Sequence, residues 1–224
     1  MKKRGRLYRM FLKLCLKILK GIAFAWVKLP SKHWQALLKV FCARLQDFVR
    51  FYKIFKGLVV DFVSIVMGSK SDFSVMSECA EVFKKFDVPY EMIVSSAHRS
   101  PERTKEYIKD AQSRGAQVFI AAAGMAAHLA GAVAAQTCKP VIGVPLGGGA
   151  LDGLDSLLST VQMPSSMPVA TVTIGKAGAI NAAYLAIQIL SLKNDELAGK
   201  LVQDRMMKAK KVELDSSEIE VRID

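Results

Sequence analysis

The sequence has few of the residues that bind metals or form disulfides. It contains three histidines and four cysteines, and no two cysteines have the C-x-x-C spacing of a metal or redox pair. Because zinc sites combine such pairs with further cysteines or histidines, no zinc pattern emerges. We therefore expect reduced thiols, as in a cytoplasmic protein, and no bound metal.

The signatures of nucleotide-binding loops are also missing. The chain has neither G-x-G-x-x-G nor the Gly-Lys-Ser/Thr ending of a P-loop, which disfavours a dinucleotide or ATP as ligand. It also lacks the G-x-S-x-G elbow that carries a nucleophilic serine.

Acidic residues are nearly absent from residues 1–57, which hold 15 of the 32 Lys and Arg but one acid, Asp47. Apolar residues recur there at helical spacing with basic residues between them, a pattern typical of basic amphipathic helices. A membrane-spanning helix needs a run of about 18 uncharged apolar residues, and no such run occurs there. Three interpretations of this extension stay open: contact with an anionic membrane surface, an organelle-targeting presequence, or upstream sequence read from a wrong start codon.

Residues 58–224 differ in character, since they hold 17 basic and 19 acidic residues and are close to neutral. Nucleic acid is therefore not an expected partner. Apolar runs alternate with helical periods. The predicted strands are residues 58–67, 90–95, 117–123, 140–145 and 169–174. The predicted helices are residues 73–86, 126–136, 152–161, 177–192 and 195–211, with a further helix that opens at Pro101 and is capped by Ser100. Residues 212–224 are expected to form a loose polar tail.

Continuous apolar strands that are each followed by a helix predict a parallel sheet with both faces covered. The expected fold is a three-layer α/β/α sandwich with a flavodoxin-like sheet, preceded by a basic helical N-terminal extension. Four polar or glycine-rich loops directly follow predicted strands, at residues 68–72, 96–99, 123–125 and 145–149. Ligands of such folds bind at the carboxyl ends of the strands, so these loops define the candidate site.

The first loop suits a phosphorylated sugar. Gly68 permits a tight turn, and the hydroxyls of Ser69 and Ser71 can donate hydrogen bonds. A helix N-terminus behind them favours an anion such as a phosphate. Asp72 can accept hydrogen bonds from sugar hydroxyls, or it can simply cap the following helix.

The second and third loops offer proton transfer and a close approach to a ligand. His98 has a side chain that can move protons near neutral pH, and Arg99 can hold a phosphate or carboxylate. The third loop is built from small residues that would leave N–H groups free at the start of a helix at Ala126. His128 has two open interpretations: it contacts ligand, or it packs between subunits.

Motifs at every strand end resemble those of one family, the class I N5-carboxyaminoimidazole ribonucleotide mutases of purine (IMP) biosynthesis. The resemblance spans about residues 61–205 and does not cover residues 1–57. It is carried by residues 68–72, 96–101, 126–129, 143–145, 154–159, 161–164, 174–178 and 181–183.

The resemblance implies an isomerase that moves a carboxyl group from the exocyclic nitrogen of its ribonucleotide to ring carbon 4, without metal or other cofactor. It implies a homo-octamer, a cytoplasmic location and a mutase domain at residues 58–211. It makes His98 the proton carrier. The substrate-binding positions that it implies are Ser69, Asp72 and Arg99, with Ser96, Ala97, Gly124 and Leu129 lining the pocket. The chemistry of the first loop adds Ser71 to the predicted substrate-binding residues.

Two other functions are kept in view. One is a class II carboxylase that uses free aminoimidazole ribonucleotide and CO₂, against which the Ala-Ala-His-Leu stretch at residues 126–129 speaks. The other is a non-catalytic nucleotide-binding module tethered to a membrane by residues 1–57. Met125, Ala130 and Ser166 depart from the family pattern, and a serine at 166 is expected to add about 1 kcal/mol of strain if φ is positive there.

Overall fold

The computed structural model describes residues 61–219, so the predicted extension at residues 1–57 lies outside the described residues. The described chain forms one five-stranded parallel sheet with strand order β2-β1-β3-β4-β5. The strands are β1 (Phe62–Met67), β2 (Tyr90–Val94), β3 (Ala116–Gly124), β4 (Val141–Leu146) and β5 (Ala170–Thr171). The helices are α1 (Phe73–Lys85), α2 (Pro101–Arg114), α3 (Leu129–Ala134), α4 (Leu154–Val161), α5 (Gly175–Ser191) and α6 (Asp195–Ile219).

Two hydrophobic cores lie on opposite faces of the sheet. On one face α1 and α5 cover the strands, with Phe83 and Ile187 fully buried. On the other face α2 and α3 do so, with Ile108 and Val133 fully buried. Every residue of β1 is buried, as expected for a central strand covered on both sides. The predicted three-layer sandwich with a flavodoxin-like sheet is therefore confirmed.

Two elements are clearly shorter than predicted. Met125 has a positive φ of 53°, and the helix expected over residues 126–136 runs only from Leu129 to Ala134 as α3. The fifth strand has only two residues, Ala170 and Thr171, and lies at the sheet edge.

The C-terminal helix is longer than predicted. Residues 212–219 were expected to belong to a loose tail, and this prediction was wrong, because they continue the helix. The helix α6 runs from Asp195 to Ile219. Residues 200–219 contain neither glycine nor proline, so their exposed polar side chains do not interrupt the backbone hydrogen bonds.

The carboxylate of Asp204 links α6 to α1 and α5 by hydrogen bonds. Asp204 is only 4% exposed, and it accepts hydrogen bonds from Lys85 of α1, from the Tyr184 hydroxyl of α5 at 2.8 Å and from Lys208 at 3.1 Å. Burial alone would raise the pKa of Asp204, but these three hydrogen bonds outweigh it and lower the pKa. The ionised carboxylate therefore stabilises the folded state at neutral pH.

We expect Asp204→Ala to lower the free energy of unfolding by about 1–3 kcal/mol at pH 7, since three donors lose their acceptor. A group with a lowered folded pKa stabilises above its unfolded pKa and loses that effect as pH falls. The deficit of the variant should therefore shrink below about pH 4. Urea denaturation at pH 7 and pH 3.5 measures both effects. Asp215→Ala, an exposed carboxylate on the same helix, is the control and should change little. An equal effect of the two variants at pH 7 would contradict the role of Asp204.

Candidate active site

The four loops that follow β1, β2, β3 and β4 all lie at the carboxyl edge of the sheet. The chain leaves β1 for β2 on one side and later returns to β3 on the other, which makes the end of β1 a topological switch point. The Gly68 N–H donates to the Ala122 carbonyl at 3.0 Å, so the first loop is joined to β3. This is the position where a ligand crevice is expected in an open α/β sheet.

The first loop is a turn held by its own side chains. Ser69 caps a short 3₁₀ turn over Lys70–Asp72, and the Ser69 N–H donates to Asp72 Oδ2 at 2.8 Å. The Ser71 hydroxyl donates to Ser69 Oγ at 3.0 Å and lies 3.4 Å from Asp72 Oδ1. Asp72 does occupy the N-cap position of α1, but its side chain makes no capping bond to that helix. Its carboxylate turns back toward Ser69 instead.

Asp72 has a shifted acidity. Its partial burial raises the pKa of the carboxyl group above 3.8, and hydrogen bonds from the Ser69 N–H, the Ser71 hydroxyl and the Gly68 N–H partly offset that rise. A raised pKa in a half-covered carboxyl group at a sheet edge is common at ligand sites.

The second loop presents His98 and Arg99 on a rigid support. Ser95 is buried, with its N–H donating to the Met67 carbonyl at 2.8 Å and its hydroxyl 2.8 Å from that of Thr104. Ser96 Oγ accepts the Arg99 N–H at 3.2 Å and Arg99 Nε at 3.5 Å. Both His98 and Arg99 are exposed and free to meet a ligand.

Two predictions about helix starts need correction. Ser100 does occupy the N-cap position of α2, but its hydroxyl donates to the Ser96 carbonyl instead of capping that helix. The N–H groups expected to be free after Ala126 are engaged, because those of Ala127 and His128 donate within the loop at 2.8 and 2.7 Å.

His98 and His128 meet, which sequence reasoning did not predict. Their ring centroids lie 5.0 Å apart with an interplanar angle of 28°, a stacked arrangement. Both histidines are exposed. They follow β2 and β3, the two strands that flank β1, and this topology is the signal that could have indicated the pair.

The remaining predicted site residues are small or apolar. Gly124 lies so close to the next loop that an added Cβ would stand 3.3 Å from the Leu146 carbonyl oxygen. Ala97 is half-buried against the core, and Leu129 is 3% exposed beneath the loops. These three residues therefore contribute apolar surface, in contrast to the polar turn of the first loop.

Among residues 61–219, no three side chains of His, Cys, Asp or Glu come close enough together to hold a metal ion. Within the same residues, no helix combines the length and hydropathy needed to cross a membrane.

Together, the parallel sheet and its strand order define a flavodoxin-like α/β protein, whose candidate site combines a polar turn after β1 with a histidine and an arginine after β2. Comparison with known proteins identifies the family. Residues 62–211 match the family model described as AIR carboxylase, and the chain belongs to that family.

Its relatives include three proteins named N5-carboxyaminoimidazole ribonucleotide mutase. The one from Bacillus subtilis (strain 168) is 52% identical over 156 residues, which cover 70% of this chain and 96% of that protein. The one from Pyrococcus abyssi is 58% identical over 143 residues, covering 64% of this chain and 81% of that protein. The one from Escherichia coli (strain K12) is 52% identical over 139 residues, covering 62% and 82%.

A solved structure shares the fold. The crystal structure of Treponema denticola PurE superposes with a TM-score of 0.66 at 29% sequence identity, covering 72% of this chain and 99% of that one. The family assigned from the motifs in the sequence is thus confirmed.

Proposed function

We propose that this chain converts N5-carboxyaminoimidazole ribonucleotide to 4-carboxy-5-aminoimidazole ribonucleotide in purine biosynthesis, as an isomerase. The main support for this function is sequence identity: about half of the aligned residues are identical to those of a protein named as this mutase, over nearly its whole length. An exposed histidine after β2 and a polar turn after β1, at the same edge of the sheet, supply the chemical groups that the reaction needs.

The ribonucleotide binds across the first and second loops in this proposal. Its phosphate lies near Ser69, Ser71 and the Arg99 guanidinium, since hydroxyls and a guanidinium both donate hydrogen bonds to phosphate oxygens. Asp72 accepts from the ribose hydroxyls. The imidazole ring lies against the wall formed by Ser96, Ala97, Gly124 and Leu129.

The reaction requires one group that gives up a proton and later takes one back. Protonated His98 donates its proton to the exocyclic nitrogen as the N–C bond of the carbamate breaks, releasing CO₂ and leaving the neutral amine. Carbon 4 then attacks the CO₂ through the electron pair of the ring, and the new C–C bond forms. Loss of the proton from carbon 4 to His98 restores the aromatic ring and the protonated imidazole.

Retention of CO₂ is the second requirement. A molecule of CO₂ held beside carbon 4 reacts at a far higher effective concentration than dissolved CO₂. The small apolar walls at Ala97, Gly124 and Leu129 support this role, because they exclude water and offer no competing nucleophile.

His128 has a supporting role in this proposal. Its ring stacks on that of His98, which limits the orientations that the His98 ring can adopt. Of the two interpretations of His128, contact with ligand or packing between subunits, this stacking supports the first.

The wider organisation is also proposed. The mutase domain comprises residues 58–211, and the matched range 62–211 supports this boundary. The resemblance to the mutases supports a cytoplasmic homo-octamer, and residues 1–57 stay an extension whose role, membrane-surface contact included, is not assigned.

A label-retention assay tests the function. With substrate carrying ¹³C in its carboxyl group and unlabelled bicarbonate in solution, without ATP or added metal, we expect the full-length protein to form product that keeps most of the label. Loss of the label to solution would indicate the class II carboxylase, an activity that the named relatives do not favour. Binding of ribonucleotide without product would indicate a binding module.

A further inference from the structure

The loop that joins β4 to α4, residues 147–153, begins directly beside a residue of the candidate site. A Cβ added to Gly124 would stand 3.3 Å from the Leu146 carbonyl oxygen and 3.5 Å from that of Gly147. The path of the chain where it leaves β4 therefore sets the space beside Gly124. None of the substrate-binding positions inferred from the sequence lies in this loop or in α4.

Ser156 bonds both ends of the loop. Its side chain is fully buried in the first turn of α4, and its hydroxyl donates at 2.8 Å to the Leu146 carbonyl, before the loop, and at 2.8 Å to the Gly153 carbonyl, at its end. A hydroxyl has one hydrogen, so the two carbonyls share it. The Gly153 carbonyl also accepts the Leu157 N–H at 2.9 Å, as helix geometry requires. The distinctive bond of Ser156 is therefore the one to Leu146, which joins α4 to the end of β4.

The loop itself supplies little stiffness. Four of its seven residues are glycine, the residue that loses most conformational freedom when it is held in one path. Its two ends are nevertheless in contact, since a Cβ added to Gly153 would stand 3.4 Å from the Cα of Gly147. Compact surface loops whose ends lie close together frequently carry function. A glycine-rich loop of this kind depends on bonds at its ends to keep its path, and Ser156 supplies them.

We propose that Ser156 is a positioning residue for the mutase reaction: its buried hydroxyl joins both ends of loop 147–153 and fixes the Leu146 carbonyl against Gly124. This inference rests on the proposed function, in which the imidazole ring of the substrate lies against Gly124. Without the hydroxyl, the Leu146 carbonyl loses a buried donor, and a buried carbonyl regains hydrogen bonds by turning toward water. The surface beside the imidazole ring then shifts.

The phosphate end of the substrate is expected to be little affected. Its proposed ligands follow β1 and β2, which are separated from β4 by one and two strands of the sheet. The two ends of the substrate therefore report separately on the role of Ser156.

Steady-state kinetics and product affinity of the full-length Ser156→Ala variant test this role. We expect kcat to fall about tenfold, because a displaced imidazole ring spends less time in the reactive geometry. The Kd of the product, measured by calorimetric titration, should change less than about threefold, since the groups that bind phosphate are untouched. Ser156→Cys keeps the size of the side chain and a weaker donor, so its kcat should lie between those of the wild type and Ser156→Ala.

Thr160→Val is the matched control. Thr160 is also buried in α4, but its hydroxyl donates at 2.7 Å to the Ser156 carbonyl, within the helix and away from the loop. Each variant loses one buried hydroxyl bond, so both should lower the thermal midpoint by a similar amount, about 2–8 °C. Only the change at Ser156 should lower kcat.

Three results would overturn the inference: an unchanged kcat in Ser156→Ala, an equal fall of kcat in Thr160→Val, or a product Kd that rises as much as kcat falls. If the wild type forms no carboxylated product, the proposed function fails, and hydrogen exchange then decides about Ser156. Faster exchange of the amides at residues 147–153 in Ser156→Ala than in Thr160→Val would support the restraint of this loop, and equal exchange would refute it.

Discussion

Replacing His98 with Asn should reduce kcat by about 10²–10⁴-fold while ribonucleotide affinity changes little. Asn keeps a polar side chain of similar reach but does not transfer protons, and one imidazole serves both proton steps of the proposed reaction. The polar turn and Arg99, which bind the nucleotide in this proposal, are untouched by the change. Steady-state kinetics with N5-carboxyaminoimidazole ribonucleotide and calorimetric titration with the product measure the two quantities separately.

His128→Asn is the matched comparison, since its ring stacks on that of His98 at a centroid distance of 5.0 Å. If His128 only orients its neighbour, kcat should fall about tenfold or less. The reverse order, with the larger loss in His128→Asn, would transfer the role of proton carrier to His128. Unchanged turnover in both variants would refute imidazole chemistry at this edge of the sheet.

Replacing Gly178 with Ala should prevent stable folding or lower the free energy of unfolding by about 4 kcal/mol or more. Gly178 is buried in the first turn of α5, and a Cβ there would overlap the carbonyl oxygen of Thr173 and also stand 3.5 Å from Val144 Cγ1. Backbone atoms do not move aside as a flexible side chain does, so α5 would have to leave its place on the sheet. Chemical denaturation of the purified variant, or its absence from the soluble fraction, measures this effect.

Gly199→Ala is the control for glycine replacement in a helix. Gly199 lies in α6, and no atom stands within 4 Å of the position of its missing Cβ. Alanine there should stabilise the protein by about 0.5–1 kcal/mol, because glycine weakens a helix interior. A well-folded Gly178→Ala variant with wild-type stability would contradict the tight packing of α5 against residue 173.

The fold could be predicted from the sequence because the apolar runs of β1, β3 and β4 are continuous and each leads into a helical period. The candidate loops followed from the same pattern, since parallel strands place their carboxyl ends at one edge. The start of α3 could not be predicted, because the turn at Met125 depends on a left-handed φ that sequence normally signals by glycine. The end of α6 was missed because a polar, uncapped segment is equally compatible with helix and coil.

The topology places His98 and His128 at the same edge of the sheet, but the contact between their rings could not be predicted. The residues are 30 positions apart, and β1 lies between the strands that they follow. Their contact depends on how far each loop extends past its strand, which neither hydropathy nor spacing encodes. The direction of the Asp72 side chain, toward Ser69 instead of α1, depends in the same way on a local choice between two hydrogen bonds of similar strength.

The backbone of the turn at residues 69–72 is held before any ligand binds, by the Ser69 N–H bond to Asp72 and by the cap that Ser69 provides, so only the Ser71 hydroxyl has to turn from Ser69 Oγ to meet a phosphate. If the proposed function holds, a sugar phosphate that binds at this turn orders little backbone there, so association costs less conformational entropy. The affinity of the phosphate end should then depend little on rearrangement of the protein backbone.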